Sequence, residues 1–205
     1  MSNNPHQHRL QGLYVITDTA LCADKLAQMV EQALQGGARI VQYRDKSKEP
    51  QKRLAEACVL ANLCRQHNAL LIINDDTELA LQAEAHGVHL GKDDDDLKEA
   101  RLALGPDAVI GISCYNDFER ARWAQTAGAD YVAFGRFFPS STKPDAIQAD
   151  PALLLRGKAE LTLPMVAIGG ITPENGRSLI EAGADMLAVI HAVFGISRVQ
   201  TACES

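Results

Sequence analysis

No CxxC pair occurs anywhere in the 205 residues, and the five cysteines (Cys22, Cys58, Cys64, Cys114 and Cys203) are odd in number. Neither a disulfide framework nor a structural zinc site fits that pattern, and a reducing compartment, the cytoplasm, is the expected location. An excess of basic residues is lacking too. With 20 Lys and Arg against 26 Asp and Glu the net charge is −6, so neither nucleic acid nor an acidic membrane is an expected partner. The longest mostly apolar stretch, MLAVIHAVFGI at 186–196, is too short to span a bilayer and carries His191. The opening MSNNPHQHRLQG has no apolar signal-peptide core, and residues 1–12, with His6 and His8, are expected as a flexible N-terminal tail. No GxGxxG turn is present, which weakens the case for an open dinucleotide-binding sheet.

What is present is an ordinary globular composition, 46% hydrophobic and 22% charged, in a chain long enough for one sizeable core. Short apolar runs recur: LYVIT (13–17), RIVQY (39–43), LLIIN (70–74), GVHL (87–90), VIGIS (109–113), DYVAF (130–134), PMVAI (164–168) and MLAVI (186–190). They read as strands covered on both faces. Helix-like segments lie between them; in DKLAQMVEQALQGG, Leu26, Met29, Val30, Ala33 and Leu34 share one face and glycines supply the stop. A weak echo, QGGARIV, AEAHGVHL, TAGADYVAF and EAGADMLAV, carries a helix end through glycine into a strand each time. Eight such alternations close most economically as a single-domain (β/α)8 TIM barrel over residues 13–205, its last helix short.

In such a barrel the chemistry collects at the carboxyl ends of the strands. Gln42, Arg44 and Lys46 alternate in VQYRDKS and so point the same way. LLIINDD runs four apolar residues straight into Asn74, Asp75 and Asp76. Two adjacent carboxylates at a strand end repel each other unless a cation or a helix start at Thr77 takes them up. Asp93 to Asp96 follow the fourth run, Ser113 ends the fifth, GRFFPSSTKPD follows the sixth and GGITPEN the seventh. One rim thus carries both signs of charge. Basic groups suit a phosphate or diphosphate, and paired acids suit Mg2+, which takes one or two carboxylates plus phosphate oxygens. Ser140, Ser141 and Thr142 beside Lys143, with the N–H groups of Gly169 and Gly170, suit a second phosphate. Plainer explanations exist for each piece: a helix cap at 75–76, a solvated helix start at 93–96, a polar loop at 140–144, and simple packing for His191.

Taken together, YVITD, VQYRDKS, INDD, GVHLGKDD, IGIS, DYVAFGRFFPSSTKP, PMVAIGGI and ADMLAVIHAVF make residues 13–194 resemble the thiamine-phosphate synthase family. The resemblance implies a Mg2+-dependent transferase. It would join 4-amino-5-hydroxymethyl-2-methylpyrimidine diphosphate to a thiazole phosphate, carboxylated or not, releasing diphosphate. By the same likeness Gln42, Tyr43, Arg44, Asp45, Lys46, Asn74, Ser113 and Lys143 would contact the pyrimidine diphosphate. Arg44, Ser113 and Lys143 would be catalytic, and Lys143 would help the leaving group depart. Ser140, Ser141, Thr142, Gly170, Ile190 and His191 would hold the thiazole phosphate, and Asp75 and Asp94 would hold Mg2+. Three positions depart from the family pattern: Lys92 stands for a glutamine, Ser140 for a threonine and His191 for a serine. The rivals are a thiazole tautomerase on the same barrel and a noncatalytic sensor of phosphate ligands. A homo-oligomer is compatible with the sequence.

Overall fold

Strands buried on both faces need apolar residues at successive positions, and the short runs supply them. The computed structural model describes residues 4–91, 96–139 and 147–204. Among these, eight parallel strands close into a barrel in chain order: β1 (Gly12–Ile16), β2 (Ile40–Tyr43), β3 (Leu70–Asn74), β4 (Gly87–Leu90), β5 (Val109–Tyr115), β6 (Tyr131–Gly135), β7 (Met165–Ile168) and β8 (Met186–Val189). The expected (β/α)8 barrel is therefore present. Closure is made by β1 on β8, with Tyr14 level with Ala188. β5 runs past its expected end to Tyr115, across a bulge between Ser113 and Tyr115.

The helices are α1 (Thr19–Cys22), α2 (Leu26–Gln35), α3 (Pro50–Gln66), α4 (Thr77–Gln82), α5 (Leu97–Leu104), α6 (Phe118–Ala127), α7 (Ala152–Glu160), α8 (Pro173–Glu181), α9 (His191–Phe194) and α10 (Val199–Glu204). The expected face of α2 packs inward, with Met29 at its half-buried margin. The short last helix is split into α9 and α10. A Cβ on Gly36 would sit 2.4 Å from the Gln200 carbonyl oxygen, so a glycine there lets α10 lie against the end of α2.

Strand alternation separates two apolar layers. In β3, Leu70 and Ile72 join Tyr14, Ile40 and Tyr131 inside the barrel, whereas Leu71 and Ile73 pack under the helices. Of the amino-terminal segment expected as a flexible tail, residues 4–12 lie across the bottom of the barrel. Leu10 enters the interior layer at 2% exposure, and the Asn4 side-chain amide donates to the Ala108 carbonyl and to Asp130. A polar stretch can be held this way because its side chains satisfy backbone groups at the strand starts.

The sequence echo acquires a physical cause at this same end. Asp130 accepts the N–H of Ile110 at 2.8 Å, Asp185 accepts that of Met165 at 2.8 Å, and His86 Nδ1 accepts that of Leu71 at 3.0 Å. In three of the four echoed segments the residue before the strand thus ties down the start of the preceding strand. Arg101, 2.6 Å from Asp130, completes the charge balance there. All five cysteines are free thiols, and burial pushes those of Cys64 and Cys114 up to about 12. No helix among the described residues is long and apolar enough to cross a membrane.

Burial, with the positive charge of Arg9 and the imidazoles and guanidinium of His6 and Arg65 nearby, lowers the His86 pKa to about 4. The folded state therefore resists a proton that the unfolded chain accepts near 6.5. The stability this pin confers is complete above 6.5 and is lost as pH falls toward 4. His86→Asn is expected to flatten the fall in urea midpoint between pH 7 and pH 4.5, in paired denaturation curves. His6, edge-on to His86 and itself lowered first by burial, leaves a residual slope.

Candidate functional site

At the opposite end of the barrel a cavity of 340 Å³ opens among the strand ends. Every strand contributes to its lining: Tyr14 and Ile16 from β1, Gln42 from β2, Asn74 from β3, His89 from β4, Ser113 from β5, Ala133 from β6, Val166 from β7 and Ala188 from β8. Beside it lies an open, charged depression of 470 Å³ formed by Asp45, Lys46, Arg53, Asn74, Asp75, Asp76 and Glu78. Asn74 borders both.

The expected alternation after β2 holds for Gln42 and Arg44, which face the cavity, while Lys46 faces the depression. Tyr43 turns the other way, under the helices. Its hydroxyl donates to Glu56 at 2.6 Å on α3, and its side chain does not line the cavity. Asp45 likewise spends its carboxylate inward. It accepts the Ser47 N–H at 2.7 Å and hydroxyl at 2.9 Å, and lies 3.7 Å from Lys52. Burial alone would raise its pKa, but those donors outweigh it and hold the carboxyl below the ordinary range. Tyr43 and Asp45 thus shape the turn that presents Arg44 and Lys46. The Arg44 N–H is held in turn by Thr17 Oγ1 at 2.9 Å.

The acid pair of LLIINDD resolves by divergence. Asp76 caps α4 through the Leu79 N–H at 2.8 Å and pairs with Arg53 at 3.0 Å. Asp75 adopts a left-handed backbone (φ 64°), which a short polar side chain tolerates, and accepts the Asn74 amide. The helix-cap reading thus holds for Asp76. One carboxylate caps a helix, and the other borders the charged depression.

Ser113 lines the cavity, and its backbone carbonyl accepts Arg120 Nε at 2.7 Å, while Arg120 also holds the Gly91 carbonyl at 2.8 Å. The GGI turn is drawn tight. A Cβ on Gly169 would meet Arg136 Cβ at 2.2 Å, and both Gly169 and Gly170 have positive φ. Asn175 at the start of α8 accepts the Thr172 N–H and donates to the Gly170 carbonyl, fixing that turn. Ile190 and His191 line the cavity from the β8–α9 junction. Asp94, Ser140, Ser141, Thr142 and Lys143 lie outside the described residues.

Several lining residues escaped the sequence analysis: Tyr14, His89 and Arg136 in the cavity, Arg53 in the depression, and Tyr131 beneath. For Tyr14, His89 and Tyr131 a signal existed, since a polar side chain inside a strand covered on both faces must find partners. Among the described residues no group of three or more Asp, Glu, His or Cys side chains could hold a metal ion. The depression nevertheless offers oxygen donors and neither imidazole nor thiolate. That donor set fits Mg2+, which needs few protein ligands when phosphate oxygens complete its shell.

A family model described as thiamine monophosphate synthase matches residues 13–193. The chain belongs to the thiamine monophosphate synthase family. Within that family it is 54% identical over 194 residues to the thiamine-phosphate synthase of Nitrosococcus oceani, covering 94% of this chain and 89% of that one. To the thiamine-phosphate synthase of Thiobacillus denitrificans it is 53% identical, covering 93% and 90%. The solved thiamine phosphate pyrophosphorylase from Pyrococcus furiosus superimposes with a TM-score of 0.87 at 35% identity, covering 97% and 94%. The (S)-3-O-geranylgeranylglyceryl phosphate synthase of Thermoplasma acidophilum, at 17% identity and a TM-score of 0.69, shares the fold.

Because donors hold Asp45 ionised, its contribution to stability is present above the ordinary value of 3.8 and is lost as pH falls through its depressed one. Asp45→Ala is expected to lower the urea midpoint at pH 7, with the gap to the parent narrowing at pH 3. A gap independent of pH would place the loss in packing alone.

Proposed function

We propose that this family member acts as a thiamine-phosphate synthase on 4-amino-5-hydroxymethyl-2-methylpyrimidine diphosphate and the (carboxylated) thiazole phosphate. One observation carries this reading: a mostly apolar, ring-sized cavity opens beside a depression that bears both signs of charge, and Asn74 borders both. A heterocycle bearing a diphosphate has that same division. A tautomerase acting on the thiazole alone would have no use for the second half.

In this arrangement the pyrimidine enters the cavity and its diphosphate lies toward Arg44 and Lys46. The bond from the ring's methylene carbon to the diphosphate oxygen breaks with its electron pair on oxygen. The amino group stabilises the resulting cation through the ring, and the thiazole nitrogen captures it; where the thiazole is carboxylated, its carboxylate leaves as CO2, the electron pair of the broken C–C bond remaining on the ring. Such a path asks the protein for positioning and fixed charge and needs no covalent nucleophile. Arg44 and Lys46 meet the charge that develops on the departing oxygens, and Lys143 is assigned the same task from the 140–144 loop. Mg2+, held by Asp75 and Asp94, would supply further positive charge to the diphosphate when bound. Ser140, Ser141, Thr142, the Gly170 N–H, Ile190 and His191 are assigned to the thiazole phosphate. At His191 an imidazole takes the place of the hydroxyl usual in the family.

The free thiols suit a cytoplasmic setting, and the net charge of −6 supports small-molecule substrates over nucleic acid. A coupled assay following diphosphate and thiamine phosphate together tests the reading. Appearance of both with the two substrates and Mg2+ is expected; diphosphate without thiamine phosphate would refute it. In the same assay Lys143→Ala should reduce kcat by about 10²–10³, the scale of losing one preorganised contact. Asp75→Asn, which keeps a short polar side chain on the left-handed backbone, should shift the Mg2+ titration to higher concentration while leaving the thermal midpoint near that of the parent. An unchanged titration would remove Asp75 from the metal site.

A further inference from the structure

Beneath the cavity Tyr14, Tyr131 and His89, to which the proposed reaction assigns no role, link Gln42 to Ser113 through hydrogen bonds. Gln42 Nε2 donates to Tyr14 Oη at 2.7 Å, Tyr14 Oη lies 2.9 Å from Tyr131 Oη, and Tyr131 Oη lies 3.0 Å from His89 Nδ1. His89 Nε2 then lies 2.8 Å from Ser113 Oγ. The backbone is built to allow this. His89, Gly111 and Tyr131 share one register level on β4, β5 and β6. A Cβ on Gly111 would sit 1.9 Å from Tyr131 Cζ. The missing side chain lets the tyrosine ring cross β5 and stack on the imidazole, with centroids 5.6 Å apart and planes at 20°.

Hydrogen bonds in series have a direction, and the first member sets it. Gln42 gives its N–H to Tyr14, so the buried Tyr14 hydroxyl passes its own proton to Tyr131. Tyr131 then donates to His89 Nδ1, which makes Nδ1 an acceptor and leaves the imidazole proton on Nε2. That N–H donates to Ser113 Oγ, and the serine proton points on into the cavity. Burial raises the pKa of both tyrosines well above the ordinary value, so each hydroxyl keeps its proton.

We infer that Tyr14, Tyr131 and His89 are positioning residues that hold Ser113 as a hydrogen-bond donor and Gln42, through its remaining Oε1, as an acceptor. The cavity then selects a heterocycle offering a donor toward β2 and an acceptor toward β5. A 4-aminopyrimidine meets this with its exocyclic amino group and a ring nitrogen. Its 4-oxo counterpart would set a carbonyl against the Gln42 oxygen and leave buried polar groups unpaired, the situation that gives the steepest discrimination. The identity of the heterocycle rests on the proposed function; the polarity of the chain does not.

The test has two parts. In full-length protein labelled with 15N-histidine, two-bond 1H–15N spectra read the tautomer of His89, assigned by the signals lost in His89→Gln. The inference expects an unprotonated Nδ1 and a protonated Nε2 at neutral pH, and loss of that fixed pattern in Tyr131→Phe. A protonated Nδ1 in the parent, or an unchanged pattern in Tyr131→Phe, overturns it. In the second part, the KM for the aminopyrimidine diphosphate is compared with the Ki of its 4-oxo counterpart. Tyr14→Phe frees the Gln42 amide to turn over, so the preference for the amino ring should fall by about tenfold, with the KM for the thiazole phosphate unchanged. Equal loss of both substrates, or an intact preference, overturns the inference. Should the parent make no thiamine phosphate, the functional reading fails while the tautomer measurement still stands.

Discussion

Strand register is the constraint on which the site depends. Successive side chains on a strand face opposite ways, so a slip of one residue in β2 would bring Tyr43 into the cavity and send Gln42 and Arg44 under the helices. In a closed barrel each strand fixes two neighbours, and the pairing of β1 with β8 makes an error at one seam an error everywhere. The pins at the bottom matter for this reason. Asp130, Asp185 and His86 each accept a backbone N–H at the start of the preceding strand, and the register they help set reaches the other end, where chemistry is proposed. Stability and function are thereby placed at opposite ends of the same strands.

At the upper rim, charge is sorted by pairing. Two acids adjacent in sequence part company because α3 brings Arg53 to Asp76, and the α4 N-terminus takes the other oxygen of that carboxylate. Asp75 is left to border the charged depression with Lys46 and Glu78. The same sorting occurs one strand earlier. Tyr43 turns under the helices to Glu56 and Asp45 is held by Ser47 and Lys52, while Arg44 lines the cavity and Lys46 the depression. In both places one side chain of a neighbouring pair is tied to the local backbone while the other borders a cavity or depression.

The barrel and several of the polar residues at its rim were legible in the sequence because their signals are local. Apolar runs of four or five residues, helical periodicity and glycine stops all act within a few residues of one another. Gln42, Arg44, Asn74 and Ser113 could be placed on one rim from strand ends alone. The docking of Asn4 was not legible because its partners, Ala108 and Asp130, lie 104 and 126 residues away. The direction of the Tyr43 side chain, under the helices to Glu56, was not legible because a motif does not say which way each side chain turns.

By itself, then, the sequence determined that parallel strands and helices alternate, that they close, and which residue types gather at the carboxyl ends. The tertiary structure alone decided which neighbour each polar group takes. Tyr14 and Tyr131 are 117 residues apart, and His89 and Tyr131 are 42 apart, yet they form one chain of hydrogen bonds beneath the cavity. Backbone periodicity is written in near neighbours, whereas a buried hydrogen bond depends on two side chains that meet only once the barrel has closed.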